Sequence, residues 1–230
     1  MAHLEFDCET IADGASKRTI AIDRLIIAGW TGRDREKMEA HMAELEELGI
    51  KRPDKAPVFY RASASRLTTA PEIEVLAGES SGEAEVLVIR DGDRLWVGLA
   101  SDHTDRGVEA YDITVSKQMC DKPCAPALWL FDDVAPHWDQ LVLQSWIEEN
   151  GTRTLYQEGP LSAMLSPGDL IERNRAEGGS FGERTAMLCG TPPARGGVRK
   201  SASFEMSLSD PVLGRSITHA YRSVEFPSSE

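Results

Sequence analysis

Short apolar segments bounded by turn residues run along most of the chain. Residues 4–23 partly alternate between apolar and polar side chains around Asp13-Gly14, which predicts an N-terminal β-hairpin. The apolar run 24–29 ends in glycine and predicts a strand. Hairpin turn signals also stand at Asp91-Gly92 and Asn150-Gly151. The pattern beyond residue 57 predicts strands at 58–60, 73–75, 85–89, 94–98, 141–146, 152–156 and 186–189, and two more on either side of residues 211–214.

Only two segments have clear helical character. Residues 34–48 carry apolar side chains at helical spacing, among them Met38 and Met42, and Gly49 is a C-terminal stop signal. Ser166 followed by Pro167 predicts a short helix that ends near residue 175. Because helices are few and hairpins are many, the chain is predicted to be mostly β (α+β), with a rolled, barrel-like sheet.

Composition and charge narrow the functional classes. The chain has 230 residues and a formal net charge of −13, so it lacks the excess of lysine and arginine that nucleic acid or an anionic membrane surface requires. No apolar run approaches the roughly 20 residues of a membrane span, and residues 1–7 have no signal-peptide pattern. Four scattered cysteines argue against a zinc site and fit reduced thiols, so we expect a cytoplasmic protein.

Two groups of acidic residues stand at the ends of predicted strands. Glu83 and Glu85 begin one strand, where residues two apart share a face, so their carboxylates repel each other. A divalent cation would explain this pair, and so would a solvated strand start. Asp102, His103 and Arg106 lie where the next strand ends, which favours either a loop that carries chemistry or a loop that caps backbone N–H groups.

Two further motifs are compatible with catalysis. His41 and Glu44 lie one turn apart on the predicted helix, and a glutamate that orients a histidine makes a general base, although a solvated pair gives the same pattern. Gly190-Thr191-Pro192 follows a predicted strand. It would either bring backbone and a hydroxyl close to a ligand or form a simple turn.

The order of these segments, rather than any one of them, resembles the fumarylacetoacetate hydrolase family. The Glu-x-Glu strand at 83–85, the Asp-x-x-x-Arg loop at 102–106 and Lys117 follow one another as they do in that family. The resemblance covers about residues 24–224. It departs from the family pattern at Trp30, where an Arg-Asn-Tyr is usual, and at Arg61, where a lysine is usual, so the chain resembles a divergent branch. Further matching segments are the first strand at 24–29, the His-x-x-Glu helix at 41–44, and residues 56–63, 125–127, 149–152, 165–171, 189–192 and 211–215.

The resemblance implies a site as well as a fold. The fold would be a rolled mixed sheet in a catalytic domain at residues 24–230, preceded by a hairpin extension at residues 1–23. Ligands that are all carboxylates favour Mg²⁺ or Mn²⁺, or else Ca²⁺. The implied metal ligands are Glu83, Glu85 and Asp102; the implied catalytic residues are His41, Glu44 and Lys117; the implied substrate contacts are Arg106, Lys117 and Thr191.

The implied activity is hydrolysis of a carbon–carbon bond in a 2-oxo acid or an acylpyruvate-like 1,3-dicarbonyl compound. A decarboxylase, hydratase or tautomerase of 2-oxo acids on the same metal site is the alternative, and it gains weight if His41 is not the base. A non-catalytic small-molecule binding protein on this fold is a third hypothesis. The family's habit of pairing subunits suggests a homodimer.

Overall fold

The computed structural model describes residues 1–36, 38, 39, 42, 53–76 and 78–226. The helices are α1 Arg106–Glu109, α2 Ile113–Met119, α3 Phe131–Val134 and α4 Pro167–Ala176, with 3₁₀ segments at Ala64–Arg66, Ala135–Gln140 and Leu161–Ala163. The strands are β1 Ala2–Thr10, β2 Gly14–Ile22, β3 Arg24–Gly29, β4 Val58–Ala62, β5 Leu67–Thr68, β6 Glu72–Val75, β7 Ser80–Ser81, β8 Ala84–Asp91, β9 Arg94–Ser101, β10 Thr104–Asp105, β11 Lys122–Pro123, β12 Ala127–Leu130, β13 Val142–Glu149, β14 Thr152–Pro160, β15 Thr185–Leu188, β16 Ser203–Asp210 and β17 Arg215–Glu225.

Most strands belong to two mixed sheets. The larger sheet has eight strands in the order β2-β1-β12-β9-β8-β15-β3-β4 and curls into a half barrel. Within it, β1 pairs with β12 and β15 pairs with β3 in parallel, and the other pairs are antiparallel. The smaller sheet has five strands in the order β14-β13-β16-β17-β6. Two further short pairs of strands, antiparallel β10-β7 and parallel β11-β5, form outside these two sheets.

Strand β8 lies at the centre of the fold because both of its faces are buried. Val86 and Val88 pack in a core shared with the five-stranded sheet, whereas Leu87 and Ile89 pack in a second core that includes Phe6 of the N-terminal hairpin. Successive side chains of a strand point to opposite faces, so one apolar run fills both cores. Each fully buried aliphatic side chain contributes about 1.5–3 kcal/mol to stability. The strand that begins beside Glu83 is therefore firmly held.

The sequence predicted most of these elements. The N-terminal hairpin, the strand at 24–29 and the helix after Ser166 are confirmed, and Ser166 caps that helix together with Asp169 in a capping box. Residues 35, 36, 38, 39 and 42 of the predicted 34–48 helix are helical, and the remainder lies outside the described residues. The fold class, mostly β with a rolled sheet, is confirmed. The division into an extension at 1–23 and a domain at 24–230 stays a prediction.

The sequence did not reveal the elements between residues 104 and 140. Helices α1 and α2 begin with aspartate caps, because Asp105 accepts a hydrogen bond from the Val108 N–H and Asp112 accepts one from the Val115 N–H. These helices are too short to show an apolar period. No helix among the described residues is both long enough and apolar enough to cross a membrane.

Candidate metal centre

The candidate site lies at the open end of the β8–β9 hairpin. Ala84 pairs with Ser101, so Glu83 immediately before β8 faces Asp102 immediately after β9, and the Asp102 N–H donates to the Glu83 carbonyl over 2.9 Å. Oxygens of Glu83, Glu85 and Asp102 all lie within 4.8 Å of one another. The three carboxylates that the sequence singled out are therefore brought together by one strand pair.

Glu85 is a buried carboxylate with a backbone donor. The Gly190 N–H donates to its Oε2 over 2.8 Å. Burial, together with the charges of Asp102 and Glu83, raises the pKa of Glu85 well above 4.5, and the Gly190 hydrogen bond only partly opposes that rise. Gly190 has a φ of +95°, and a Cβ there would lie 1.8 Å from the Thr31 hydroxyl oxygen. Only glycine therefore allows this backbone to approach Glu85.

Asp102 lies between two ammonium groups. Its Oδ2 is 2.6 Å from Nζ of Lys117, and its Oδ1 is 2.9 Å from Nζ of Lys122. Burial opposes ionisation of Asp102, but the two lysine charges outweigh it and hold the pKa of this carboxyl below its usual range. Asp102 is thus ionised, and its two oxygens have different cationic partners.

Glu83 belongs to a second set of ion pairs. Its Oε1 lies 3.3 Å from Nη2 of Arg106, and its Oε2 lies 3.5 Å from Nζ of Lys117. Arg106 also pairs with Glu109 over 2.7 Å and donates to the Ser81 hydroxyl over 2.7 Å. The charges of Glu83 and Glu109 raise the pKa of Arg106 although burial opposes this. Arg106 and Lys117 therefore line the same side of the carboxylates.

A buried histidine holds the loop that carries Asp102. The ring nitrogens of His103 lie 2.9 Å from the Tyr221 hydroxyl and 2.9 Å from the Ser80 hydroxyl. Burial, reinforced by the charges of Lys122 and Arg106, lowers the pKa of His103 to about 3, so the ring is neutral. His103 therefore acts as a structural bridge and not as a charged member of the site.

Thr191 lies beside the start of β8. Its hydroxyl donates to the Ala84 carbonyl over 2.7 Å and lies 2.7 Å from Nε2 of Gln157, whose own Oε1 accepts from the Ala84 N–H over 3.0 Å. These hydrogen bonds fix the strand end between Glu83 and Glu85. A substrate contact by Thr191 stays a prediction.

Three residues around the carboxylates escaped the sequence analysis. Glu109 pairs with Arg106, three residues earlier, and lies 3.4 Å from Nζ of Lys117. The spacing of Arg106 and Glu109 indicates a contact only when α1 is known to be a helix. Lys122 is fully buried. Its position in Cys120-Asp121-Lys122-Pro123-Cys124 was the one feature of the sequence that could have drawn attention to it. Burial raises the pKa of Tyr60, and the positive charge of Lys117 opposes that rise. His41 and Glu44, the predicted base and its partner, lie outside the described residues.

The arrangement fits a divalent cation that prefers oxygen ligands. Two oxygens bound to one Mg²⁺ at about 2.1 Å can be at most about 4.2 Å apart, so a cluster within 4.8 Å needs only a small contraction. When Glu85 is ionised, the site's charged side chains include one more anion than cations, and a bound cation would compensate this excess. The anions are Glu83, Glu85, Asp102 and Glu109, and the cations are Arg106, Lys117 and Lys122.

Comparison with known proteins gives one family and one fold. A family model described as a protein of unknown function (DUF2848) matches residues 28–221. No curated protein sequence matches the chain. A candidate fumarylacetoacetate isomerase/hydrolase from Oleispira antarctica has a similar structure, with a TM-score of 0.67, 18% identity, and coverage of 97% of this chain and 100% of that one.

Two further solved structures extend the range of named activities. A 5-carboxymethyl-2-hydroxymuconate delta-isomerase from Mycobacterium smegmatis gives a TM-score of 0.63 at 17% identity, covering 94% of this chain and 88% of that one. A 2-keto-3-deoxyarabinonate dehydratase gives a TM-score of 0.62 at 15% identity, covering 92% and 78%. At these identities the similarity shows the fold, and the resemblance read from the sequence is confirmed at that level.

Proposed function

Since the chain belongs to the DUF2848 family and has the fumarylacetoacetate hydrolase fold, we propose that it is a divalent-metal-dependent hydrolase of carbon–carbon bonds. The substrate would be a 2-oxo acid or an acylpyruvate-like 1,3-dicarbonyl compound. The observation that carries this proposal is the group of Glu83, Glu85 and Asp102, whose oxygens lie within 4.8 Å of one another beside Lys117 and Arg106.

In this proposal the three carboxylates hold Mg²⁺ or Mn²⁺, with Ca²⁺ as a further candidate. Such an ion supplies Lewis acidity toward the oxygens of the substrate. The Gly190 N–H orients Glu85 through Oε2, and Lys122 orients Asp102 through Oδ1. The chain thus holds two of its three candidate ligands with donors of its own.

Lys117 and Arg106 would bind the anionic groups of the substrate. Lys117 is 6% exposed and has three carboxylates within ion-pair distance, so it can give up one of them without being left unpaired. The charges of Asp102, Glu83 and Glu109 raise its pKa despite burial, so it stays an ammonium at neutral pH and acts as a charged donor. Thr191 would place its hydroxyl at the same end of β8.

The chemical step proposed for the hydrolase needs a base that activates water. We assign this role to His41, oriented by Glu44 at helical spacing. Water adds to the carbonyl carbon distal to the carboxylate of the substrate, and the carbon–carbon bond then breaks. An acylpyruvate and one water give a carboxylic acid and pyruvate, with the methylene carbon taking up a proton that Lys117 could deliver.

Decarboxylation, hydration or isomerisation of 2-oxo acids is the second candidate. An isomerase and a dehydratase are among the proteins whose structures resemble this chain, and a fold does not determine its chemistry. A protein that binds a small molecule without catalysis is the third candidate. It is disfavoured because the carboxylates, Lys117 and Arg106 are all present and close together.

The test is a panel of acylpyruvates and 2-oxo acids assayed with Mg²⁺ or Mn²⁺, with EDTA-treated protein as the blank. We expect equal amounts of pyruvate and carboxylic acid, and a loss of at least about 100-fold in turnover for Glu85→Gln, which keeps the side chain's shape but removes its charge. Release of CO₂ or of an isomer without acid would assign the second candidate. Binding of a 2-oxo acid without any turnover would assign the third.

We also propose that the protein is a cytoplasmic homodimer. Tyr111 and Val115, which flank the start of α2, are 90% and 46% exposed although the same helix carries the buried Lys117. A second copy would cover such apolar side chains. Light scattering of the purified protein would give a mass of about twice 25.3 kDa if this is correct.

A further inference from the structure

Lys122 is a buried lysine with a fixed backbone. It belongs to β11, which pairs in parallel with β5, and Cys124, the residue after that strand, donates to the Thr68 carbonyl over 2.8 Å. Its side chain is fully buried. The ammonium donates to the His103 carbonyl over 2.6 Å and lies 2.9 Å from Oδ1 of Asp102. Among the residues that the structure describes, no other carboxylate is within ion-pair distance of it.

The two oxygens of Asp102 face different surroundings. Oδ2 is 2.6 Å from Nζ of Lys117, and the same nitrogen is 3.5 Å from Oε2 of Glu83, so Oδ2 lies on the side of the other carboxylates. Oδ1 faces Lys122. Lys117 has alternative partners in Glu83 and Glu109, whereas the partners of Lys122 within the described part of the chain are Asp102 and the His103 carbonyl alone. Lys117 can therefore leave Asp102 when a cation arrives, and Lys122 cannot do so without being left unpaired.

We propose that Lys122 is a positioning residue that occupies Oδ1 of Asp102, leaves only Oδ2 for a divalent cation, and so favours Mg²⁺ or Mn²⁺ over Ca²⁺. This inference rests on the proposed metal site. Mg²⁺ requires near-octahedral ligands at about 2.0–2.1 Å, which single carboxylate oxygens provide. Ca²⁺ accepts six to eight ligands and readily binds a carboxylate through both oxygens. A lysine that occupies one oxygen of the carboxylate prevents this binding through both oxygens.

The test is a calorimetric titration of wild type and Lys122→Met with Mg²⁺ and with Ca²⁺. Removing a positive charge strengthens binding of both ions, so the informative quantity is the ratio of their affinities, from which the shared charge effect cancels. We expect the affinity for Ca²⁺ relative to Mg²⁺ to rise at least about tenfold in Lys122→Met, because Asp102 can then bind through both oxygens.

Lys117→Met is the matched control. It also removes a cation from Asp102, but from the Oδ2 side, so both affinities should rise while their ratio stays within about twofold of the wild-type value. An unchanged ratio in Lys122→Met, or an equal change of the ratio in both variants, would overturn the role of Lys122. Wild-type protein that binds no divalent cation would overturn the proposed metal site itself, and this inference with it.

A second measurement does not depend on whether the variant folds. In a crystal structure of the wild-type protein with Mn²⁺, we expect Asp102 to bind the ion through Oδ2 alone and Lys122 to remain on Oδ1. A bidentate Asp102, or a Lys122 ammonium displaced from Oδ1, would contradict the proposal.

Discussion

Asp102 and Asp210 are both 1% exposed, yet their surroundings differ in kind. Asp210 ends β16 and accepts hydrogen bonds from the N–H groups of Val212 and Leu213 at 3.1 Å each, with His137 at 3.0 Å and Arg215 at 3.3 Å. Two of these partners are backbone N–H groups that fix the turn that follows, and Arg215 also pairs with Glu9 over 3.0 Å. Asp102 shares Lys117 with Glu83 and Glu109, whereas Asp102 is the one carboxylate among the described residues that pairs with Lys122.

The comparison separates a carboxylate that supports the fold from one that is suited to a ligand. Around Asp210, backbone N–H groups, the His137 ring and the Arg215 guanidinium saturate the carboxylate with hydrogen bonds, so it has no oxygen left for another molecule. Around Asp102 the anions outnumber the cations, and two of the carboxylates are buried. Buried like charges are costly unless something compensates them. Surplus charge, rather than burial alone, is therefore the mark of the candidate site.

The largest expected effect comes from matched substitutions of these two aspartates. Asp102→Asn removes a proposed ligand and its charge, so we expect affinity for Mg²⁺ to fall at least about 100-fold in calorimetry. Asp210→Asn should change that affinity by less than about twofold, because it lies outside the carboxylate group. Equal losses of affinity in both variants would break the distinction between the two aspartates.

The next prediction distinguishes metal binding from catalysis within the candidate site. His41→Ala should lower turnover of the best acylpyruvate about 10²–10⁴-fold, because a positioned base is lost, while the affinity for Mg²⁺ stays the same. Turnover is measured as pyruvate release and affinity by calorimetry on the same preparation. If turnover is fully retained, the base lies elsewhere and a decarboxylase or tautomerase becomes the better assignment.

The pH dependence of Glu85 provides a third comparison. Burial and the charges of Asp102 and Glu83 raise its pKa, so the folded metal-free protein holds a proton that the unfolded chain releases. The free energy of unfolding should therefore fall as pH rises from about 4.5 through the raised folded pKa. Below that folded pKa the proton competes with Mg²⁺, so affinity should drop by up to about tenfold per pH unit.

Glu85→Gln is the control for this pH dependence. The glutamine cannot titrate, so both the slope of unfolding free energy and the slope of metal affinity should flatten over the same window. Chemical denaturation and calorimetry at several pH values measure the two slopes. A slope that persists in Glu85→Gln would show that another group carries the proton.

The smallest expected effect is on stability alone. Asp210→Asn should lower the free energy of unfolding by about 1–3 kcal/mol, because charge-assisted hydrogen bonds become neutral ones. Burial opposes ionisation of Asp210, but its bonds with Leu213, His137 and Arg215 lower its pKa. Its contribution is present above the ordinary value of 3.8 and is lost as pH falls through the lower folded pKa, the opposite sign to Glu85. A loss of stability that is the same at pH 3 and pH 7 would contradict this account.

The fold could be predicted largely because its signals are local. Asp91-Gly92 and Asn150-Gly151 specify tight turns, and the apolar run after Glu85 leads directly into the first of them as a buried strand. The strand order could not be predicted in this way. The parallel pairing of β15 with β3 joins segments more than 150 residues apart, and no turn residue encodes that contact.

The candidate site could be predicted in part for a similar reason. Glu83, Glu85 and Asp102 flank one hairpin, so strand geometry alone brings them together. Lys122 reaches Asp102 from a two-residue strand that pairs with a distant segment, and its sequence neighbours carry no periodic signal. Its role depends on tertiary contacts, which sequence patterns at single positions do not encode.

The alternation of side chains along β8 makes the candidate site and the two cores depend on the same strand register. Val86 and Val88 face one core, while Leu87 and Ile89 face the other, and Glu85 stands at the head of this series. Inserting or deleting one residue inside the strand would exchange the two faces. A replacement at one position of this strand affects one core, whereas a change of its length would disrupt both cores and the carboxylates together.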